Sequence, residues 1–307
     1  MNNYPYFDTH CDTLKKMQSN KLHLNDHSLE VNLANMHKYR GCVQVFAYFC
    51  EENNTFEEVT GAIELLRREC DFFGRSISFQ TNALGIKRAL SRRRAVAIAA
   101  VESVGNIKDF TLDAIDVFHK QGVRFVSLGW NNDNVLCGGA EGRNMGLTSL
   151  GRECIKKLEQ YKMILDVSHM SDKSFYQAAE CYSLPVCATH SSSRTVSPNK
   201  RNITDDQFKI ICQSGGVCGV NFYPPHLGGE KSGIDDAIKH IEHFLSLGGE
   251  DHVGIGSDFD GMDVVSEELK NQGMVQKLFD RLLSLNYSEN LVNKIAFYNF
   301  YKLMSKF

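Results

Sequence analysis

Short runs of apolar, often β-branched residues alternate along this chain with longer segments of helical periodicity. The apolar runs predict strands over residues 4–10, 42–49, 95–102, 123–130, 163–169, 185–190, 216–223 and 252–258. Amphipathic spacing predicts helices over residues 55–70, 109–121, 148–160, 172–181, 204–214, 233–247, 266–284 and 288–304. Strands that alternate with helices in this way indicate βα units and a parallel sheet.

Eight predicted strands in a chain of 307 residues favour an α/β fold of the (β/α)8 TIM-barrel type. We expect residues 1–307 to form one such domain, with the last predicted helix as a C-terminal addition. An open doubly wound sheet is the alternative, but no glycine-rich phosphate loop follows any predicted strand. Thr204 to Gln207 matches a capping box, and Ser171 precedes another predicted helix start.

The composition argues against a nucleic-acid-binding, membrane-spanning or secreted protein. The net charge of −3 gives no electrostatic reason to expect binding to nucleic acid. No apolar run approaches the roughly 20 residues that span a bilayer, and residues 1–6 lack the apolar core of a secretory signal. The ten cysteines show no framework spacing. These features predict a cytoplasmic protein with reduced thiols and no membrane partner.

Ionisable residues follow several predicted strands, where barrel enzymes place their chemistry. His10 and Asp12 end the first strand two residues apart, so in extended chain their side chains share a face. An imidazole and a carboxylate on one face suit a metal such as Zn²⁺. Glu102 ends an apolar strand and needs a nearby cation, for which either a metal or a basic side chain would serve.

Two further strands each end in a histidine, His169 and His190. Together with the residues above they offer enough ligands for two metal sites that share Glu102, about 3.5–4 Å apart, as in many hydrolases. The preceding Asp8 and Asp166 are expected to orient the histidines. After the last predicted strand, Asp258 and Asp260 share a face. Their spacing does not decide which is a general acid/base and which shapes the loop.

These strand-end motifs resemble those of the membrane (renal-type) dipeptidases, within the metal-dependent amidohydrolase superfamily. In order, the motifs are Asp-Thr-His-Cys-Asp at 8–12, Val-Glu-Ser at 101–103, Asp-Val-Ser-His at 166–169, Thr-His-Ser-Ser at 189–192 and Gly-Ser-Asp-Phe-Asp-Gly at 256–261. Each motif is short, but five in the same order, spread over almost the whole chain, are specific. The chain looks most like the bacterial members of that family.

The resemblance implies a zinc-dependent dipeptidase that cleaves its substrate by attack of a metal-bridging hydroxide, with two Zn²⁺ per chain. It implies that His10 and Asp12 bind one zinc, that His169 and His190 bind the other, and that Glu102 bridges both. It further implies dipeptide substrates, including ones with a D-residue at the C-terminal position. The oligomeric state is open, and a homodimer is one possibility.

The resemblance also assigns residues to the substrate. Asp258 is implied as the catalytic acid/base, Arg201 as the group that binds the C-terminal carboxylate, and Tyr223 as part of the pocket. One position departs from the mammalian enzymes. Where they carry a histidine thought to contact the substrate carbonyl, this chain has Trp130, which cannot titrate, so that contact changes or passes to the neighbouring Asn131 or Asn132.

Two other functions fit part of the pattern. Another amidohydrolase reaction, on a lactone, ester or other amide, is disfavoured. Many such enzymes use His-x-His on the first strand and a modified lysine on the fourth, whereas residues 123–130 hold no lysine. A metal-binding barrel without catalysis is the second alternative, and the presence of every expected ligand and of Asp258 argues against it.

Overall fold

The computed structural model describes residues 4–307 and shows strands alternating with helices. The strands are β1 Tyr6–Asp8, β2 Cys42–Phe49, β3 Ile77–Phe79, β4 Ala95–Glu102, β5 Val123–Ser127, β6 Ile164–Asp166, β7 Cys218–Val220 and β8 Val253–Ile255. The helices are α1 Thr13–Asn20, α2 Leu33–Met36, α3 Phe56–Phe72, α4 Ala83–Ser91, α5 Asp113–Lys120, α6 Ser149–Gln160, α7 Asp172–Cys181, α8 Asp205–Ser214, α9 Pro224–Leu227, α10 Ile234–Ser246, α11 Gln276–Ser284, α12 Glu289–Asn293 and α13 Asn299–Met304.

The strands form one parallel sheet in the spatial order β6-β5-β4-β2-β1-β8-β7, and β3 pairs beside this path with the start of β4. Two isolated parallel bridges, Asp166 to Cys187 and Ala188 to Cys218, link β6 to β7 through the segment between them. The expected parallel α/β architecture is therefore confirmed. Because parallel strands all end at the same edge, the polar residues after them meet at one end of the sheet, here called the carboxyl end.

The predicted strand over residues 185–190 is wrong as a regular strand, because it makes only the two bridges. Side-chain acceptors take the backbone N–H groups that a ladder would use. Thr189 N donates to Asp166 Oδ1 at 2.9 Å, and His190 N donates to Ser168 Oγ at 3.2 Å. Local side-chain bonds of this kind compete with strand pairing, and here they hold the segment in an irregular shape.

Other boundaries also differ from the sequence expectations. Strand β3 and helices α1, α2, α4 and α9 were not predicted, since each is at most nine residues long and gives little periodic signal. The helix expected over 266–284 begins only at Gln276, after a 3-10 turn at Gln272–Met274. The helix expected over 288–304 is confirmed, although a π-helical turn at Lys294–Tyr298 interrupts it. Thr204 forms the predicted capping box with Gln207.

Aromatic packing closes the opposite end of the sheet, here called the amino end. The Phe7 ring of β1 lies 5.8 Å from that of Phe300 and 6.0 Å from that of Phe297, both from the last helical segment. Gly254 in the middle of β8 permits this contact, because a Cβ there would lie 2.4 Å from the Phe300 ring. The last helical segment thereby covers the amino end of the sheet, so a site can form only at the carboxyl end.

Candidate metal centre and substrate pocket

Five ionisable side chains meet at the carboxyl end of the sheet. His10 Nε2 lies 3.5 Å from Asp12 Oδ2 and 3.5 Å from Glu102 Oε2. On the other side, Glu102 Oε1 lies 3.1 Å from His169 Nε2 and 3.7 Å from His190 Nε2. Glu102 thus stands between two sets of side chains, with one carboxylate oxygen directed at each. The structure brings together every residue that the sequence predicted as a metal ligand.

The arrangement of these atoms fits divalent metal ions. The ligand atoms of His10, Asp12 and Glu102 lie within 4.8 Å of one another, and so do those of Glu102, His169 and His190. Within residues 4–307, the buried atoms His10 Nε2, Asp12 Oδ1 and Glu102 Oε1 have no hydrogen-bond partner. Leaving such groups unpaired is costly unless a cation satisfies them. Mixed imidazole and carboxylate donors bind zinc and other divalent transition metals.

Mutual electrostatics distinguish the two sides of the cluster. Burial opposes ionisation of Glu102, but the neighbouring His10 and His169 hold the pKa of this carboxyl well below its usual range. Burial also opposes a charge on His10, yet Glu102 and Asp12 raise its pKa well above the ordinary value. For His169, burial and the Arg201 cation lower the pKa to about 3. The cluster therefore offers an ionised carboxylate next to a neutral histidine.

A hydrogen-bond chain fixes the tautomer of His190. The Thr189 hydroxyl donates to Asp166 Oδ2 at 2.5 Å, so its oxygen is left to accept from His190 Nδ1, 2.8 Å away. With the proton on Nδ1, Nε2 directs its lone pair toward the cluster, where it lies 2.9 Å from His169 Nε2. Asp166 thus orients a histidine as expected. Asp8 instead accepts from the backbone N–H groups of His10 and Ser257, at 3.2 and 2.9 Å, and from the hydroxyls of Tyr6 and Ser257.

The structure separates the roles of the two aspartates after β8. Asp258 faces the cluster, with Oδ1 3.8 Å from His10 Nε2, and Asn221 Nδ2 donates to its other oxygen at 3.0 Å. Burial, reinforced by Asp12 and Glu102, raises the pKa of Asp258 to about 7. The partners of Asp260 lie elsewhere: Thr13 Oγ1, Lys16 Nζ and the backbone N–H groups of Glu30 and Val31. Asp260 therefore stabilises the loop after β8, while the Asp258 carboxyl faces the cluster and can transfer protons there.

Arg201 lies behind the histidines, not on the open wall of the pocket. Its Nε donates to His169 Nδ1 at 2.9 Å, Nη1 to Ser191 Oγ at 2.8 Å and Nη2 to the His190 carbonyl at 2.7 Å. The side chain is buried, with 3% of the residue exposed. Three of its five N–H groups are used in these bonds, so each terminal nitrogen retains one N–H for another acceptor.

A cavity of about 600 Å³ opens over the cluster. Trp130, Asn131 and Tyr223 line it, in agreement with their predicted position. Asn131 Oδ1 lies 2.8 Å from His169 Nδ1, and the same side chain faces the cavity. The Trp130 ring packs 5.0 Å from the ring of Phe49 and forms an aromatic wall with it.

Several lining residues were not singled out from the sequence. They are Lys15, Lys16, Phe49, Glu51, Glu141, His226 and Asp263. Phe49 ends a predicted strand and Glu51 follows it, so the rule that places chemistry at strand ends would have found both. Lys15 and Lys16 come from α1, a helix too short to predict. Gly261 also contributes to the site by leaving room for Asp12, because a Cβ at this position would lie 2.1 Å from Asp12 Oδ2.

No helix in the described part of the chain is both long enough and apolar enough to cross a membrane. All ten cysteines are unpaired.

Comparison with known proteins identifies relatives. A protein of Klebsiella pneumoniae described as uncharacterised, in the pqqA 5′ region, is 32% identical over 235 residues, which cover 73% of this chain and 86% of its own length. An uncharacterised dipeptidase of Schizosaccharomyces pombe is 29% identical over 316 residues, or 92% of this chain and 75% of its own length.

Solved structures share the fold at low sequence identity. A metallo-peptidase of Rhodobacter sphaeroides, solved with a phosphinate mimic of the dipeptide L-Ala-D-Ala, superposes with a TM-score of 0.90 at 24% identity and 99% coverage of both chains. The probable dipeptidase PvdM of Pseudomonas aeruginosa gives 0.89 at 18% identity, covering 99% of this chain and 95% of its own.

A family model matches residues 1–307 from end to end, and it describes the membrane dipeptidases, peptidase family M19. The word membrane belongs to the family name and describes no segment seen in this structure. The order of the strand-end motifs, the ligand cluster that they build and the family match agree. This chain belongs to the membrane dipeptidase family, peptidase family M19, and is a metallo-dipeptidase.

Proposed function

We propose that this metallo-dipeptidase binds two zinc ions in the cluster at the carboxyl end of its sheet. His10 and Asp12 would hold the first ion, His169 and His190 the second, and Glu102 both. The observation that carries this proposal is the placement of Glu102, whose two oxygens face separate ligand sets at 3.1–3.7 Å. A carboxylate that bridges two cations is the arrangement in which neither oxygen stays unsatisfied.

The reaction is hydrolysis of the peptide bond of a dipeptide. When bound, the metals would activate water and withdraw electron density from the scissile carbonyl. The chain itself supplies proton transfer. Asp258, held by Asn221 at 3.0 Å, accepts a proton from the attacking water and delivers it to the amine nitrogen as the C–N bond breaks. The pKa of about 7 for this carboxyl suits a group that must do both near neutral pH.

The surrounding residues would select the substrate. Arg201 keeps one N–H on each terminal nitrogen and its charge lies beside the His169 and His190 pair, so we propose that it attracts the C-terminal carboxylate of the dipeptide. Tyr223, Trp130 and Asn131 form the walls around the substrate. The relative solved with an L-Ala-D-Ala mimic supports including dipeptides with a C-terminal D-residue.

We also propose that the segment 185–190 completes a barrel of the TIM type within a single domain. Its bridges to β6 on one side and to β7 on the other support this arrangement, since they span the gap between the two edge strands.

The test combines metal analysis with a substrate panel. We expect two zinc ions per chain, turnover of L,L- and L,D-dipeptides, and loss of turnover on chelation with recovery on adding zinc. A lactone, an ester and a non-peptide amide serve as competing substrates. Preference for one of these would favour another amidohydrolase reaction, and zinc binding without turnover of any substrate would favour a non-catalytic barrel.

A second experiment addresses Arg201. Arg201→Ala should raise KM for dipeptides roughly 10- to 100-fold, because a hydrogen bond to a charged group contributes about 1.5–3 kcal/mol. A dipeptide with an amidated C-terminus is the control substrate, since it carries no carboxylate. An equal rise in KM for the amidated dipeptide would contradict this role and leave Arg201 as a support for His169.

A further inference from the structure

The pocket wall that follows β7 carries a histidine outside the metal cluster. His226 lies in the short helix α9 and is fixed through its backbone at both ends. Its N–H donates to the Tyr223 carbonyl at 2.9 Å, and its own carbonyl accepts from Asn202 Nδ2 at 2.8 Å. Asn202 is buried and directly follows Arg201 in sequence. The position of His226 is therefore tied to the loop that carries Arg201.

The imidazole of His226 faces the cavity with its hydrogen-bonding capacity unused. Throughout residues 4–307, no protein group hydrogen-bonds to either of its ring nitrogens. The ring packs edge-on against Tyr223, with centroids 4.7 Å apart, and the Tyr223 hydroxyl donates to Asp263 at 2.8 Å. Burial, with the charge of Arg201 and the proximity of His169, lowers the pKa of His226 to about 2. The ring is accordingly neutral and offers one N–H.

The other basic side chains around the cavity are already paired. Lys15 Nζ binds Glu51 Oε1 at 2.9 Å and the Phe49 carbonyl at 3.2 Å. Lys16 Nζ binds Asp260 at 2.8 Å. Arg201, as described above, lies behind the wall. An anionic group of the substrate on the Arg201 side of the cavity therefore meets His226 as an unpaired donor in the cavity wall.

We propose that His226 donates a hydrogen bond to the C-terminal carboxylate of the bound dipeptide, next to the charge of Arg201. Arg201 would supply attraction from behind the wall, and His226 would supply a directed contact on it. This inference rests on the proposed dipeptidase function and adds a residue that sets its requirement for a free carboxylate.

The experiment compares His226→Phe, which keeps a ring but removes the donor, with His226→Gln, which restores an N–H. His119→Phe is the matched control, because His119 is a histidine on α5 that stacks on Tyr161 and does not line the cavity. Zinc content, kcat and KM are measured for Ala-Ala and for its C-terminal amide. Loss of one hydrogen bond should raise KM for Ala-Ala roughly tenfold in His226→Phe, with zinc content and KM for the amide unchanged.

We expect His226→Gln to recover part of the preference for Ala-Ala over its amide, and His119→Phe to match the wild type. If the wild type cleaves dipeptides and His226→Phe keeps the full preference for the free carboxylate, this inference alone fails. The same holds if KM rises equally for both substrates or if zinc is lost. A wild type that cleaves no dipeptide would overturn the proposed function, and this inference with it.

Discussion

The two ends of the parallel sheet differ in whether their buried side chains find partners within the protein. At the amino end, Phe7, Phe297 and Phe300 fill the space between the strands with aromatic rings, all of them buried. At the carboxyl end, His10 and Glu102 are just as buried, yet some of their polar atoms have no protein partner. The buried groups at the amino end are satisfied by packing within the protein, whereas those at the carboxyl end need a bound ligand.

The difference shows where stability and function are encoded. Aromatic packing stabilises the native state through the area that it removes from water. Unpaired buried polar groups destabilise it unless a ligand satisfies them, which is a common property of active sites. Substitutions at the amino end should therefore change the free energy of unfolding, whereas substitutions at the carboxyl end should change metal content and turnover.

The largest expected effect is that of Glu102→Ala. Removing the carboxylate that faces both ligand sets should release at least one metal and abolish measurable turnover. The free energy of unfolding of the metal-free protein should fall, because the substitution leaves the buried His10 without the carboxylate that raises its pKa. Metal analysis and chemical denaturation check both parts. Glu64→Ala, at an exposed carboxylate on α3, is the control, and retention of two metals by Glu102→Ala would refute the bridging role.

Asp258→Asn should keep both metals and lower kcat by about 10²- to 10⁴-fold, the usual contribution of a general acid/base. Asp260→Asn is the matched comparison. It weakens the bonds to Thr13 and Lys16 and should mainly lower the free energy of unfolding, by about 1–3 kcal/mol. Steady-state kinetics and zinc analysis check both variants. A larger loss of turnover in Asp260→Asn than in Asp258→Asn would contradict the assignment of Asp258 as the acid/base.

Phe300→Ala tests the closed end. Truncating this fully buried ring should lower the free energy of unfolding by about 3–5 kcal/mol, while zinc content and kcat per folded molecule remain those of the wild type. Phe72→Ala is the control, since Phe72 is 76% exposed and should change stability by no more than about 0.5 kcal/mol. A fall in kcat of folded Phe300→Ala would show that the two ends are not independent.

The smallest effect concerns support for a single ligand. Thr189→Val removes the hydroxyl that fixes the tautomer of His190 and should weaken binding of one metal by about 10- to 100-fold. Thr189→Ser keeps the hydroxyl and should bind metal like the wild type. Competition with a chromophoric chelator measures both variants. Equal weakening in the two would indicate that packing of the threonine methyl group, not the hydrogen bond, supports the site.

The sequence predicted that the candidate metal ligands would lie together, because parallel strands end at one edge and residues after different strands must meet there. His10, Glu102, His169 and His190 all obey that rule, although the strand expected before His190 is irregular. The position of a residue relative to the sheet was therefore predictable even where the secondary structure was not. Spacing alone did not distinguish Asp258 from Asp260, since both follow the same strand and share a face in extended chain; the family resemblance pointed to Asp258. In the structure both residues have left-handed backbone, which no spacing rule anticipates.

The short helices and strands, and the directions in which side chains point, could not be predicted from the sequence. The three-residue β3 and the four-residue α9 form only because neighbours pack against them, so no local pattern announces them. For the same reason His226 was missed. Arg201 was expected to face the substrate, but its burial behind His169 depends on contacts with Ser191 and the His190 carbonyl that only the folded chain reveals.

The order of strands in the sheet has a consequence for biosynthesis. The first strand lies between β2 and β8, so one edge of it stays unpaired until residues 253–255 have left the ribosome. His10 and Asp258 follow those two neighbouring strands and meet only then. A nascent or truncated chain that ends before β8 would lack both this pairing and Asp258. Loading of metal into a competent centre is accordingly an event that follows synthesis of nearly the entire chain.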